Sequence, residues 1–174
     1  MRIISGQFRG RPLKSPKSDN IRPTGDKVKQ ALFTKLQFLI ADSVVLDLFC
    51  GSGALGIEAL SRGAKMVYFV DKDRRSINLT KENLKGMPNN YKMFSCSYDV
   101  ALKQFDVKFD LIFVDPPYAS GLYEDALAKI EQYNLLSECG IVICEHPNDL
   151  TIKTNLNLVD QKCYGTVTLS YFQK

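Results

Sequence analysis

The most informative stretch of the sequence is Val44-Val45-Leu46-Asp47-Leu48-Phe49-Cys50-Gly51-Ser52-Gly53-Ala54-Leu55-Gly56. Its first five residues are mostly apolar or β-branched and predict a short buried strand, and helical spacing resumes at Leu55. A Gly-x-Gly-x-x-Gly motif lies between them. Glycines in such a loop allow a sharp turn and let a ligand approach the backbone where a Cβ would clash. The stretch therefore predicts a strand, a ligand-binding loop and a helix, in that order.

An acidic residue follows the next predicted strand, residues 66–70. Asp71 comes twenty positions after Gly51, the spacing expected of a carboxylate that accepts the hydroxyls of a ribose. The pattern therefore indicates a nucleoside-containing cofactor. Asp47 bears on its class, because a carboxylate at the end of the first strand opposes a pyrophosphate and suits a cationic amine. S-adenosyl-L-methionine is favoured over NAD; an Asp47 that only caps the loop is the structural alternative.

The remainder of the chain alternates between strands and helices. Further strands are predicted at 91–96, 109–114 and 140–145, and helices at 25–40, 55–62, 74–85, 100–105 and 123–133. Residues 156–163 and 166–172 alternate like an antiparallel hairpin around Tyr164-Gly165. Five strands alternating with helices predict an α/β fold, a Rossmann-like doubly wound sheet that is mostly parallel and has seven strands, with the hairpin at one edge. We expect a single domain, 1–174, in which residues 1–23 form a basic, β-like arm and loop.

The fourth predicted strand ends abruptly at Asp115-Pro116-Pro117-Tyr118. Neither proline can donate to a ladder, so the carboxylate is left at the carboxyl edge of the sheet, where ligands bind in open α/β folds. The Asp115 carboxylate and the Pro116 carbonyl can accept the two N–H bonds of an exocyclic amine and turn its lone pair toward a methyl group. Tyr118 offers a ring for stacking a base. We expect Asp115, Pro116, Pro117 and Tyr118 to be the catalytic residues; a rigid turn without chemistry is the alternative.

Composition narrows the classes of function. The chain has 174 residues, of which 45% are hydrophobic and 24% charged, values typical of a soluble globular domain. No apolar run approaches the roughly 20 residues that span a bilayer, and the amino terminus has no apolar core of a signal peptide, so we expect a cytoplasmic protein without a membrane segment. The five cysteines form no Cys-x-x-Cys pair and His146 is the only histidine. A metal site is therefore not expected.

The basic residues are concentrated at the amino terminus. Residues 1–35 contain nine basic and two acidic side chains, a net charge of +7, whereas the remainder carries −3. A basic arm on a slightly acidic body suggests a polyanionic partner. The alternative is a solvated charged tail.

These residues resemble a known family. The motifs at 47–53 and 115–118 resemble those of class I amino methyltransferases in general, which act on DNA, RNA and protein. The segments at 2–6, 9–11, 21–33 and 53–63 are similar to the RsmD family in particular, and the likeness covers essentially the whole chain. The resemblance implies the class I methyltransferase fold. It also implies S-adenosylmethionine-dependent methylation of the exocyclic N2 of one guanine in 16S ribosomal RNA, free or in a 30S assembly particle. We expect the enzyme to be a monomer.

The pattern and the resemblance together give an expected site. Asp99, which follows the third strand, is placed to reach the exocyclic amine of adenine or to cap the short helix. Two residues depart from the family pattern, because Asp71 and Gln30 each stand where Glu is usual. The expected cofactor residues are Asp47, Phe49, Gly51, Ser52, Gly53, Asp71, Lys72 and Asp99, and the expected RNA contacts are Arg9, Arg11, Arg22, Thr24 and Lys27.

Three other functions fit the motifs less well, and one of them, methylation of protein, is disfavoured because the basic arm would then lack a purpose. A DNA adenine or cytosine amino methyltransferase is disfavoured because the chain has no room for a separate sequence-reading domain. An RNA-binding assembly factor without catalysis is disfavoured because Asp47, Asp71 and Asp115 are all intact.

Overall fold

The computed structural model describes residues 1–15, 25–117 and 121–174. Within these residues the chain forms five helices and a single seven-stranded sheet. In chain order the elements are α1 (Asp26–Lys35), β1 (Val44–Asp47), α2 (Ala54–Ser61), β2 (Met66–Val70), α3 (Arg74–Asn83), β3 (Tyr91–Phe94), α4 (Tyr98–Gln104), β4 (Phe109–Val114), α5 (Leu122–Gln132), β5 (Leu136–Pro147), β6 (Asn157–Tyr164) and β7 (Val167–Gln173).

The strands follow the order β3-β2-β1-β4-β5-β7-β6. Neighbouring strands are parallel from β3 to β5, and β7 is antiparallel to both β5 and β6. The chain runs outward from β1 to β3 and then returns to place β4 beside β1. The order therefore reverses between β1 and β4, which is where doubly wound sheets bind ligands. This topology confirms the predicted α/β sheet with its hairpin at one edge.

Helices cover both faces of the sheet. Helices α1, α2 and α3 pack on one face, with Phe33, Ile57, Phe69 and Phe113 in the core between them. Helices α4 and α5 pack on the other face. Because parallel strands buried on two sides cannot present a polar face, β4 is apolar at nearly every position. No helix of the described residues is long and apolar enough to cross a membrane.

Helix α1 is shorter than predicted. It ends at Lys35, and the chain continues to residue 40 as tight turns in which the Leu39 N–H donates to the Leu36 carbonyl at 2.8 Å. Leu36 and Ile40 are buried, as the helical spacing predicted, but Leu39 is 46% exposed. The helical spacing thus predicted the burial of Leu36 and Ile40 but not the end of the helix at Lys35.

Strand β5 begins four residues earlier than predicted. Leu136 pairs with Phe109 before an irregularity in the register, and regular pairing resumes at Ile141. A Cβ at Gly140 would lie 2.8 Å from the Phe109 carbonyl oxygen. Gly140, the predicted start of the strand, is therefore the point where two backbones come close.

The described part of the amino-terminal arm, residues 1–15, packs against the body of the protein. Its extended character is limited to one isolated bridge between Arg2 and Pro12. Ile3 and Leu13 are buried, and the Ile3 N–H donates to the Arg11 carbonyl at 2.9 Å. The arm is thus held in place by its own apolar residues, which the interpretation as a solvated tail did not foresee.

Candidate active site

Strand register brings three aspartates together at the carboxyl edge of the sheet. Asp47, the last residue of β1, pairs with Phe69 on one side and with Phe113 on the other. Asp71 and Asp115 each follow those partners by two residues. Since side chains alternate along a strand, both carboxyl groups lie on the same face as Asp47. That face is the one covered by α1, α2 and α3, because Phe69 and Phe113 belong to its core.

A fourth carboxylate, Glu145, joins this edge. The β4–β5 register pairs Val114 with Cys144, so Asp115 and Glu145 come next, side by side. Glu145 is only 5% exposed, and its charge raises the pKa of Asp115. Glu145 is not among the residues expected at the site. The sequence feature that could have identified it is an acidic residue at the end of the fifth predicted strand.

Asp47 is buried, and it holds the glycine loop. Its Oδ2 accepts the Gly56 N–H at 2.9 Å, at the first turn of α2. The pKa of Asp47 is raised to about 7, mainly by burial and also by the charge of Asp71, while the hydrogen bond from Gly56 opposes the shift. Asp47 therefore contacts the glycine motif, as the structural alternative expects, and its role toward a cofactor remains a prediction.

Asp71 ties the same loop to β2. Its Oδ2 accepts the Gly51 N–H at 3.0 Å and its Oδ1 accepts the Asp73 N–H at 2.8 Å. The side chain is half-buried, so it keeps an open side at the edge of the sheet. Asp71, which is one methylene shorter than the Glu usual at this position, therefore contacts the loop backbone directly.

The three glycines of the motif serve different purposes. Gly51 has φ +54°, and a Cβ there would meet no atom within 4 Å, so the backbone borders open space. A Cβ at Gly53, which has φ +78°, would lie 2.6 Å from Thr80 Cγ2, and one at Gly56 would lie 2.3 Å from the Phe69 ring. The first glycine thus leaves room for a ligand, and the other two allow helix and strand to pack closely.

Two polar residues of α3, which the sequence analysis missed, support the loop from below. The Thr80 hydroxyl donates to the Gly51 carbonyl at 3.1 Å. The Asn83 side-chain amide donates to the Ser52 carbonyl at 2.9 Å and to the Lys14 carbonyl at 3.0 Å. Both side chains are buried. The sequence feature that could have identified them is a pair of polar residues, three positions apart, on the inward face of a predicted helix.

Asp115 lies at the end of β4, as predicted. Burial and the charges of Glu145 and Asp47 hold the pKa of Asp115 well above its usual range. Pro116 is buried and Pro117 is exposed. Tyr118 lies outside the described residues. The edge therefore presents a carboxyl group that keeps a proton more readily than a solvated aspartate.

The other expected cofactor residues are distributed around this edge. Phe49 is half-buried, with its ring centroid 5.4 Å from that of Tyr98, Ser52 is buried, and Lys72 is exposed. Asp99 is exposed in the first turn of α4, where a hydrogen bond from Ser97 lowers its pKa. The N-cap of α4 is Ser97, so the alternative that Asp99 caps this helix is wrong.

The expected RNA contacts differ in their surroundings. Arg9 and Lys27 are exposed. The Arg11 guanidinium donates to the Lys85 backbone carbonyl and is half-buried. Arg22 and Thr24 lie outside the described residues. Arg9 and Lys27 are therefore available to a partner, whereas Arg11 already has one within the fold.

The cysteines and the histidine form no metal-binding cluster or disulfide in the described parts of the chain. All five cysteines are free thiols. No group of three or more histidine, cysteine, aspartate or glutamate side chains in 1–15, 25–117 and 121–174 is arranged to hold a metal ion. His146 is buried, its Nδ1 lies 2.8 Å from the Pro147 carbonyl and its Nε2 lies 2.8 Å from the Ser170 hydroxyl. This histidine is satisfied as part of the core.

Comparison with known proteins identifies the family. The family model described as Conserved hypothetical protein 95 matches residues 1–173. Ribosomal RNA small subunit methyltransferase D of Haemophilus influenzae is 36% identical over 180 residues, which cover 99% of this chain and 93% of the relative. The protein of the same name from Escherichia coli is 35% identical over 178 residues, covering 100% of this chain and 90% of the relative. This chain belongs to the RsmD family.

A solved structure supports the RsmD assignment at the level of the fold. The protein yhhF of Escherichia coli superposes with a TM-score of 0.87 and 34% identity, covering 100% of this chain and 97% of that one. The resemblance inferred from the motifs is confirmed, as is the class I methyltransferase fold.

Proposed function

We propose that this protein transfers a methyl group from S-adenosylmethionine to the exocyclic N2 of a guanine in small-subunit (16S) ribosomal RNA. The observation that carries the proposal is the position of Asp115 beside Asp47 and the glycine loop, on a chain of the RsmD family. Relatives that match nearly the whole chain are named for methylation of small-subunit ribosomal RNA. As part of the same proposal, the enzyme acts as a cytoplasmic monomer on the RNA or on a 30S assembly particle.

The electrostatics of the edge favour a cationic cofactor. Burial and, to a smaller extent, acidic neighbours raise the pKa values of Asp47 and Asp115, and no basic side chain of the described residues contributes to either shift. An added pyrophosphate would make this repulsion worse, whereas an ammonium or a sulfonium would relieve it. The open backbone at Gly51 provides the close approach that a nucleoside needs. The residues present therefore fit S-adenosylmethionine better than a dinucleotide.

Three of the expected residues have defined roles toward this cofactor. Asp47 would face its amine, Asp71 would accept the ribose hydroxyls, and Asp99 would accept from the adenine amine. When bound, S-adenosylmethionine supplies a methyl group that is activated for in-line displacement by a sulfonium. Holding two reactants in line can contribute roughly 7–11 kcal/mol to lowering the barrier.

Asp115 and Pro116 prepare the acceptor. The lone pair of an exocyclic amine is shared with the aromatic ring, so the amine is a weak nucleophile. The Asp115 carboxylate and the Pro116 carbonyl accept its two N–H bonds and direct the lone pair toward the methyl carbon. After transfer the nitrogen carries one proton too many. Asp115, whose pKa is raised, takes that proton and releases it to water.

Transfer of tritium from labelled S-adenosylmethionine tests the proposal. The acceptors are 16S ribosomal RNA, 30S particles that lack the modification, and duplex DNA. We expect label in the RNA or the particle and none in the DNA. Label in DNA alone would favour the DNA amino methyltransferase, and label in none, with tight RNA binding, would favour an assembly factor without catalysis.

A further inference from the structure

A buried carboxylate joins the amino-terminal arm to the helix that follows the glycine loop. Glu58 lies on α2 and its side chain is fully buried. Its Oε2 accepts the Ile4 N–H at 2.8 Å and lies 3.3 Å from Lys29 Nζ. Its Oε1 accepts the Ser5 N–H at 3.0 Å and Arg62 Nε at 2.8 Å. One carboxylate therefore accepts hydrogen bonds from the arm and from the residue that follows α2, and it lies beside the Lys29 ammonium of α1.

Lys29 and Arg62 extend this cluster to α1. Lys29 is fully buried, and its Nζ also donates to the Arg2 carbonyl at 2.6 Å. The Arg62 guanidinium lies over the Phe33 ring, 5.0 Å from its centroid. Buried ion pairs add little stability compared with apolar packing, yet the loss of one partner is strongly destabilising because it leaves the other charge buried and unpaired. Such a cluster therefore fixes where the arm and α1 lie more than it stabilises the fold.

A second contact fixes the arm along α2. The Gln7 N–H donates to the Ser61 carbonyl at 2.7 Å, and the Phe8 N–H donates to the Ser61 hydroxyl at 3.0 Å. A Cβ at Gly6 would lie 1.8 Å from the Ser61 carbonyl oxygen, so only glycine allows this approach. The arm is therefore attached at two points along one helix.

A groove of about 240 Å³ runs between the arm and α1, with Arg2 and Arg9 on one side and Asp26 and Gln30 on the other. At roughly 30 Å³ for each water of the liquid, its volume equals that of about eight water molecules, which is room for a phosphate. Both arginine side chains are exposed, and a planar guanidinium suits a phosphate. Asp26, on the other side of the groove, lies in the first turn of α1, where the positive end of the helix dipole partly compensates the negative charge of its carboxylate.

One end of the groove lies on the side of the candidate active site. Lys29 of α1 contacts Glu58 of α2, and four residues later in each case Phe33 contacts Arg62. Helices α1 and α2 therefore run side by side in the same direction. Helix α2 begins at the glycine loop, at the carboxyl edge of the sheet. The first turn of α1 therefore lies toward that edge, and so does the end of the groove at Asp26.

The opposite side of the arm is occupied by the protein itself. Lys14 forms an ion pair with Glu82 of α3 at 2.8 Å, and Arg11 donates to the Lys85 carbonyl. These two basic residues therefore face α3, away from the groove.

We infer that the groove between the arm and α1 binds the phosphate backbone of the substrate RNA through Arg2 and Arg9, and that Glu58 holds its two sides in position. This inference rests on the proposed function and adds the path of the RNA. It assigns Arg2 a role that the charge pattern did not single out, and it removes Arg11 from the contacts with RNA.

The test compares Arg2→Gln and Arg9→Gln with the control Lys14→Gln, which removes an exposed charge from the same arm. Affinity for 16S ribosomal RNA transcribed in vitro is measured against salt concentration. Each lost phosphate contact should flatten the plot of log affinity against log salt by about 0.7–0.9. The KM for RNA should rise several-fold, and kcat at saturating RNA and the Kd for S-adenosylmethionine should stay unchanged. Lys14→Gln should resemble the wild type. Unchanged slopes for both arginine variants, or an equal change for Lys14→Gln, would overturn the inference.

The positioning role of Glu58 is tested by a double-mutant cycle. If Glu58 places the arm, Arg2→Gln should weaken RNA binding less in a Glu58→Gln background than in the wild type, because the contact is already lost. A merely structural Glu58 predicts additive effects, and additivity would refute the role. Binding of RNA is measured without turnover, so these outcomes are separate from the proposed reaction. A wild type that binds RNA and transfers no methyl group would contradict the proposed function alone.

Discussion

Replacement of Asp47 by asparagine should stabilise the free protein at high pH and weaken the binding of S-adenosylmethionine. An asparagine oxygen can still accept the Gly56 N–H, which Asp47 Oδ2 accepts at 2.9 Å. The substitution therefore keeps the loop contact and removes only the buried charge. Stability and cofactor binding should change in opposite directions, because the same charge is unfavourable in the free protein and favourable beside a cation.

The size of the effect follows from the pKa of Asp47, which burial raises from 3.8 to about 7. Because the folded value is the higher one, ionisation of Asp47 destabilises the fold. The cost is absent below the unfolded pKa, grows as pH rises and is complete above the folded pKa. At 1.36 kcal/mol per pKa unit, it reaches about 4 kcal/mol at pH 8 and about 1.5 kcal/mol at pH 5. The advantage of the variant should therefore grow by roughly 2–3 kcal/mol between pH 5 and pH 8.

The assay is thermal unfolding without cofactor at both pH values, followed by titration with S-adenosylmethionine. For a chain of this length 1 kcal/mol corresponds to about 2–4 °C in Tm, so the expected difference is easily measured. The wild type should lose affinity for the cofactor as pH falls below 7, and Asp47→Asn should bind weakly at every pH. Asp106→Asn, which removes an exposed carboxylate, is the control and should follow the wild type. A stability difference independent of pH, or an unchanged cofactor affinity, would refute the reasoning.

Two further predictions concern Asp115, the proposed catalytic carboxylate, and the packing of the loop. Asp115→Ala should reduce single-turnover methyl transfer by at least about 10²-fold, with the Kd for S-adenosylmethionine within a few-fold of the wild type. A large loss of cofactor affinity would show that Asp115 belongs to the cofactor site. Gly56→Ala should lower the free energy of unfolding in urea by about 1–3 kcal/mol, because its Cβ would lie 2.3 Å from the Phe69 ring. Gly121→Ala is the control, since a Cβ there meets no atom within 4 Å, and equal effects of the two substitutions would contradict the packing argument.

The fold could be predicted from the sequence because its signals are local. The strand at Met66–Val70 was predicted with its observed bounds, and the glycine motif marked the turn into α2. Asp47, Asp71 and Asp115 each stand at the end of a predicted strand, and parallel pairing brings such ends to one edge of the sheet. Boundaries were weaker where buried residues continue past the end of an element, as at Leu36 and Ile40 after α1.

The contacts that support the site could not be predicted, because they depend on which elements become neighbours. Glu145 approaches Asp115 only because β5 lies beside β4. Asn83 bonds the glycine loop and the arm at once, across 31 and 69 residues of sequence. Glu58 is a charged residue on a helix, which favours a solvent-exposed position, and the folded arm and Lys29 of α1 lie against it instead. Sequence patterns give the face of an element, and the packing partner comes from the tertiary structure.

The most direct test of the central account is the identity of the modified nucleotide. The purified protein is incubated with S-adenosylmethionine and 16S ribosomal RNA, or 30S particles lacking the modification, and the RNA is digested and analysed by mass spectrometry. The account predicts N2-methylguanosine at a single position, which disappears with Asp115→Ala. A methyl group on adenine or cytosine, or no methyl group in RNA with both acceptors, would contradict it.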